Sequence, residues 1–506
     1  MKFKIPQFRI HNAEFRIIVL VLIFLELVSF FVYWLKPVLN IENIAFLLIM
    51  APIIVLTTKS PKFGLFVALA ELIVGSQGHL LNFSFYNFDL SLRMGIFLTV
   101  LPISLIKITW QKQWVIIGSF LQKNKIIPIF ILILLLALAN GYWRGNVFSN
   151  IYHDFNNWLF GLYLIPILAY WEKDDWSKIK TVFFAGISVV ALKTLLFLFV
   201  YSHGLAVVPL FYKWGRDTLW GEFTVVNGNL FRIFSQAQIF CLIGFVIFFV
   251  EGFLAKVKTV KNIIWQTVFL SIALISLSRS FWLAGILTIG LVSIGYLFKN
   301  QTWKNKLLMI LKNWTNLVIS GIGAVILLLV VINFPLSGNF QLQGADLLTS
   351  RFQNEAAISS RWSQLPNLTA KIAENPFWGS GFGTTITYKS SDPRIKNVNN
   401  PEGTFTTYAF EWGFLDLLVK FGLFGVITFL TIFGQKFYFV VQKLKNKKED
   451  LENLPFIDLT VAIIVLTLVH ATTPYLNHPL GLGVVVLFVA YFNFDRESNL
   501  QIAHNR

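Results

Sequence analysis

A chain of 506 residues that is 56% hydrophobic and only 13% charged falls outside the soluble globular class, in which about a quarter of residues carry charge. Its net charge of +17 does not point to nucleic acid, because the basic residues come in short clusters between apolar runs. Placing each cluster on the cytoplasmic side gives alternate crossings of a bilayer, so topology and attraction to anionic lipid account for the charge.

The apolar runs have roughly the 17–25 residues that a helix needs to span hydrocarbon. In chain order they predict helices over 15–35, 43–58, 63–80, 90–107, 126–140, 152–171, 181–201, 235–254, 262–278, 280–298, 314–334, 413–435, 455–473 and 480–494. The expected fold is all-α, a polytopic transmembrane helix bundle of about 12–14 helices with both termini cytoplasmic. The first run, Ile17–Leu35, ends without a small-residue cleavage motif and reads as a retained helix. Trp114–Leu121 is too short to cross and is expected along the cytoplasmic interface. Glu26, Glu71 and Lys193 interrupt apolar runs, which predicts either interhelical pairs or an ion path. Cys241 is the single cysteine, so no intrachain disulfide forms. No His/Cys/Asp spacing suggests a metal site, and no internal repeat suggests a transporter built from inverted halves.

Two outer connections, Ser202–Phe231 and Pro335–Phe410, far exceed the usual loop of about 4–6 residues. The second divides the chain into transmembrane helices over 1–334, a large extracytoplasmic loop over 335–410, and C-terminal transmembrane helices over 411–506. This loop is polar, yet Trp362, Phe377, Trp378, Phe382 and Phe405 give it apolar anchors, so it is expected to fold against the membrane surface. Long loops on a helical scaffold are where function concentrates.

Outer basic residues stand out against the topology rule. Arg232 precedes a helix, Arg279 lies in a tight turn between two helices, and Arg361 lies in the long loop, with Arg351 as a peripheral fourth. Singly, each fits an arginine that snorkels to headgroups; converging, they would match phosphate oxygens with forked donors. The run Gly379-Ser-Gly-Phe-Gly383 lacks the strand and the Lys-Ser/Thr of a nucleotide loop, and tight turning after Asn375-Pro376 explains it better.

Glu411 opens the helix that follows the loop. A carboxylate there is favoured by the helix dipole, but without a sequence-local partner it either pairs with an outer arginine or serves as a base. Asp416 and Lys420 are four apart, in the order that lets them neutralise each other on one helical face. His470 and His478 are weaker candidates for the same vestibule, more often simple interfacial residues. Trp362, Trp378 and Trp412 could stack on sugar faces or anchor at the interface.

The order of these features carries a resemblance. An arginine before a helix is followed by Leu277-Ser278-Arg279 at a tight outer turn. Then come a long loop with Arg361-Trp362, Asn375-Pro376 ahead of Gly379-x-Gly381-x-Gly383, and a helix with Gly422-Leu-Phe-Gly425. This pattern, over Asn227 to Gly425, resembles the O-antigen ligase and O-antigen polymerase family. The resemblance implies a membrane-embedded glycosyltransferase working on the extracytoplasmic face of a bacterial cytoplasmic membrane, with no cofactor or metal. Its partners would be a polyprenyl-pyrophosphate-linked oligosaccharide, an acceptor glycan and the bilayer.

By position, the resemblance implies that Arg232 and Arg361 hold the donor pyrophosphate with Arg279 in support. The ligases keep a histidine, usually followed by asparagine, eleven residues before the first glycine of the Gly-x-x-Gly helix; counting back from Gly422 reaches Glu411, followed by Trp412. Glu411 thus stands where the ligases keep their proposed base, and the departure tilts the expectation toward a polymerase. The alternative is a ligase that moves the glycan to lipid A-core or another acceptor. A secondary transporter or flippase, with Glu26, Glu71, Lys193 and Glu411 as coupling sites, is the reading from another class.

Overall fold

With no water in hydrocarbon to satisfy backbone N–H and C=O groups, an apolar run must close its hydrogen bonds within itself, as a helix. The computed structural model of the chain describes residues 13–36, 38–39, 41–86, 88–172, 174–253, 259–298, 302–335, 356–390, 395–397, 400–445 and 454–504. Arg351, invoked above, lies outside the described residues.

The first half of the chain forms α1 (Ala13–Leu35), α2 (Glu42–Lys59), α3 (Pro61–Val74), the hairpin β1 (Asn82–Phe85) and β2 (Phe88–Ser91), α4 (Leu92–Trp110), α5 (Trp114–Lys123), α6 (Ile126–Trp143), α7 (Phe148–Asn156), α8 (Leu164–Tyr170) and α9 (Asp175–Ser202). The second half forms α10 (Val208–Asp217), the hairpin β3 (Glu222–Asn227) and β4 (Leu230–Phe234), α11 (Gln238–Gly252), α12 (Thr259–Ile275), α13 (Arg279–Leu297) and α14 (Trp303–Asn333). After these come α15 (Ala356–Glu374), the hairpin β5 (Ile386–Lys389) and β6 (Thr404–Thr407), α16 (Gly413–Lys445), α17 (Leu454–His470) and α18 (Pro479–His504).

Among the described residues, eight helices are long and apolar enough to cross a membrane: α1, α2, α4, α6, α9, α13, α14 and α16. Shorter apolar helices at Gln238–Gly252, Val260–Ile275, Phe456–His470 and Pro479–Asn493 accompany them. This is an all-α polytopic membrane protein. The centre is α11, buried along its length against α9, α12, α13 and α17. By contrast α1, α2, α6 and α14 expose apolar side chains such as Leu20, Leu48, Leu132 and Ile322, the pattern of helices whose outer face meets lipid tails.

Several charges inside these helices are paired. Lys193 Nζ lies 2.6 Å from Glu26, Arg93 Nε 2.8 Å from Glu71, and Lys180 Nζ 2.5 Å from Glu251 and 2.8 Å from Asp458. Of the two expectations for Glu26, Glu71 and Lys193, interhelical pairing is the one found.

Several expected spans are corrected by local geometry. The run 63–80 stops at Val74, because the chain turns at Gly75 and Gly78, where Arg93 and Glu71 crowd the backbone. The run 152–171 is three pieces, α7, a 3-10 turn over Asn157–Tyr163 and α8, since Asp154, Asn156 and Asn157 interrupt its apolar surface. Among the described residues, the first long connection contains α10 with β3–β4, and the second contains α15 with β5–β6.

Candidate active site

The run read as one helix over 413–435 is broken. Within α16, Gly422 has φ 64° and ψ −171°, a left-handed backbone that glycine adopts without strain. A break in an apolar helix must be repaid by other hydrogen-bond partners, and residues 376–383 supply them. The N–H of Ser380 donates to the Val419 carbonyl at 2.6 Å, and that of Gly381 to Lys420 at 3.2 Å. In return Leu423 and Phe424 donate to the carbonyls of Pro376 at 2.8 Å and Phe377 at 3.2 Å. The glycines are needed because backbone meets backbone: a Cβ on Gly379 would lie 2.6 Å from the Lys420 carbonyl. The Phe382 N–H goes to Ala137 at 3.1 Å and the Gly383 N–H to Asp154 at 2.9 Å. This glycine run is a plug for a broken helix, and its N–H groups are spent on protein.

Beside the plug, Lys420 Nζ sits 2.6 Å from Asp416 and 2.5 Å from Asp154 of α7, all three side chains buried. Asp416 also accepts from Asn477 Nδ2 at 2.7 Å. The expected Asp416–Lys420 neutralisation is present, but the lysine serves two carboxylates. The third member lies in a helix far away in sequence.

Above this triad, α15 packs on the start of α16. Arg361 Nε donates to Glu411 Oε2 in a direct ion pair, with the two side chains 37% and 38% exposed. The Glu411 N–H donates to Gln364 Oε1 at 3.3 Å, and Trp412 Nε1 to the Arg361 carbonyl at 3.0 Å. The rings of Trp362 and Trp412 meet edge to face at 5.6 Å, with Trp362 itself 61% exposed. Glu411 is thus paired with an outer arginine, at a partly exposed position. Glu411 also precedes the first turn of α16, which begins at Gly413.

Arg232 lies on β4, its Nε donating to the Ser276 carbonyl at 2.9 Å and its guanidinium 4.8 Å from the Phe234 ring centre. Ser276 begins the turn that ends in Arg279, the first residue of α13, so these two arginines share one corner. The next residue, Ser280, receives a bond from Thr472 at 2.7 Å and meets Thr473 at 3.2 Å. That turn follows His470, whose ring packs edge to face on Phe414 at 5.0 Å. A continuous path of contacts thus runs from Arg232 through the 276–280 and 470–473 turns to the start of α16.

His470 is fully buried, and its Nδ1 accepts the Leu476 N–H at 3.1 Å. His478 accepts the Leu480 N–H at 3.3 Å; burial, and then the nearby Arg93 cation, push its pKa down to about 3. Both rings brace the turn between α17 and α18. Among the described residues no group of three or more His, Cys, Asp or Glu is placed to hold a metal ion.

Other polar residues at this end were not singled out from sequence. Arg144 bonds Asn140 at 2.8 Å and Asn375 at 2.7 Å, tying α6 to the plug. Arg93 closes the Glu71 pair, and Gln364 reaches Glu411. Both arginines stand at the ends of apolar runs, where the alternation that exposed Arg232 would have flagged them. Gln364 carries no such signal.

Taken together, these features define a polytopic membrane protein with an arginine–carboxylate pair and a tryptophan pair at one mouth of the bundle, under a folded loop. Residues 267–430 match the family model described as O-antigen ligase, a segment that contains Arg279, Arg361, the plug, Glu411 and the break at Gly422. The matched segment is about a third of the chain, and the likeness is of that segment to the family. No curated protein matches the chain.

Proposed function

We propose that this protein is a polymerase-type glycosyltransferase, moving a glycan from a polyprenyl-pyrophosphate donor to a sugar hydroxyl of an acceptor glycan. It would work on the extracytoplasmic face of a bacterial cytoplasmic membrane, in O-antigen, capsule or exopolysaccharide assembly. The observation that supports this most directly is the Arg361–Glu411 pair, which sets a carboxylate beside a pyrophosphate-competent cation at a solvent-open mouth.

The chemistry follows from those groups. The acceptor hydroxyl oxygen attacks the anomeric carbon while its proton passes to a Glu411 carboxylate oxygen. The bond from that carbon to the pyrophosphate oxygen breaks, and polyprenyl pyrophosphate leaves with the electron pair. One displacement inverts the anomeric centre. Pyrophosphate is a good leaving group, so the step needs stabilisation of developing negative charge more than activation, and fixed guanidinium groups provide it. Arg361 keeps Nε on Glu411 and offers its other edge to the pyrophosphate; Arg232 is the second clamp, with Arg279 supporting it at the shared corner. Trp362 and Trp412 offer apolar faces to the sugars. The reaction as written calls on no cofactor.

The description of the matched family favours a second reading, a ligase that delivers the glycan to lipid A-core or another acceptor. Product separates them: a polymerase yields a ladder of lengths on the carrier, whereas a ligase transfers chains without extending them. Glu411→Gln, expressed at normal membrane abundance in cells lacking the native gene, is expected to lower polymer by roughly 10²–10⁴-fold, the usual contribution of a general base, with lipid-linked single repeats accumulating. Full polymer from Glu411→Gln would remove the carboxylate from the chemistry.

A further inference from the structure

The side of α15 that meets Glu411 carries a second polar group. Gln364 stands three residues after Arg361, so the two side chains share one face of the helix. Arg361 is part-exposed at the mouth, but Gln364 is only 1% exposed. A buried amide must have its polar ends paired, and Gln364 pairs both: Oε1 accepts the Glu411 N–H at 3.3 Å and Nε2 donates to the Tyr388 hydroxyl at 3.1 Å. Around it lies an apolar cluster of Leu368, Ile386, Tyr388, Phe410 and Val419, in which leucine or methionine would pack at lower desolvation cost. What the amide adds is a hold on one peptide. Glu411 precedes α16, which begins at Gly413, and its N–H is given to Gln364.

We propose that Gln364 is a positioning residue for the transfer reaction. Its amide fixes the peptide of Glu411, so that the carboxylate meets the acceptor hydroxyl from a set point while Arg361 handles the charge. This rests on Glu411 acting as the base. A base displaced by about 1 Å loses rate on the order of a hundredfold, and the loss falls on the chemical step, not on the capture of pyrophosphate.

The test uses the full-length protein in liposomes with the polyprenyl-pyrophosphate-linked single repeat extracted from cells lacking the gene, following kcat, donor KM and thermal midpoint. Gln364→Met keeps the shape and removes both hydrogen bonds; Gln364→Asn keeps the polar group but is one methylene too short. Each is expected to lower kcat roughly 10- to 100-fold with donor KM within about twofold of wild type. Asn serves if Met fails to accumulate. Unchanged kcat in folded Gln364→Met or Gln364→Asn, or a loss that falls on donor KM instead of kcat, overturns the proposal. Glu411→Gln runs alongside: if it is inactive while the Gln364 variants are normal, only the positioning role fails. If Glu411→Gln is fully active, the assignment of the base fails and the positioning role with it.

Discussion

Lys420 holds two carboxylates at a buried site. Asp416 and Asp154 are each within 2.6 Å of its ammonium and both are buried. Removing one partner of such a cluster leaves uncompensated charge and costs roughly 3–5 kcal/mol. Lys420→Met is therefore expected to collapse membrane abundance, read by immunoblot, along with the thermal midpoint in detergent. The double change Lys420→Met with Asp416→Asn should recover part of the loss. His478 makes a pH statement. Its folded pKa is pushed down to about 3 from an unfolded value of about 6.5. Below that unfolded value, the unfolded chain binds a proton that the folded chain refuses. The stabilising contribution is complete above about pH 6.5 and shrinks as pH falls toward 3, by about 1.4 kcal/mol per pH unit. Thermal midpoints measured from pH 7 to pH 4 should fall less steeply in His478→Asn than in wild type.

At the scale of elements, α16 is the part that the other pieces are built around. Its break at Gly422 frees carbonyl groups of Val419 and Lys420 for the plug and frees Leu423 and Phe424 to donate back. Alanine at 422 would have to adopt a positive-φ, extended-ψ backbone that is essentially confined to glycine, costing roughly 1–3 kcal/mol, and would press its Cβ on the Phe377 carbonyl. Gly422→Ala is thus expected to lower the thermal midpoint and to loosen the plug. Limited proteolysis within 375–383 should rise in Gly422→Ala and stay at the wild-type level in Gly434→Ala, where the same helix has open space for a Cβ. The docking of α15 is a separate joint. It is made by Arg361–Glu411, Gln364–Glu411 and Trp412–Arg361, so a change there alters the mouth and leaves the break intact.

For the whole molecule, helix direction fixes which residues share an end. Arg93 begins α4 near His478, and the same helix finishes at Trp110, so the turn bearing Lys112 lies at the opposite end from α15. In intact cells a membrane-impermeant thiol reagent should label Asn367→Cys on α15. It should label Lys112→Cys only after permeabilisation. Cys241 is fully buried and adds no background. Labelling of both sites from one side would refute the expected topology.

Segment class was legible in the chain because the length and apolarity of a run decide locally whether it can cross hydrocarbon. Arg232, Arg279, Arg361 and Glu411 were legible as candidates because each breaks a charge pattern in its own neighbourhood. The three pieces of 152–171 had a sign in Asp154, Asn156 and Asn157, but the helix broken at Gly422 was not legible, since apolar composition continues through it. Nor were the partners. Glu26 meets Lys193 across 167 residues, Lys420 meets Asp154 across 266, and Gln364 meets Glu411 across 47. Local sequence set which groups needed a partner once water was gone, while packing of distant helices decided which partner each one found.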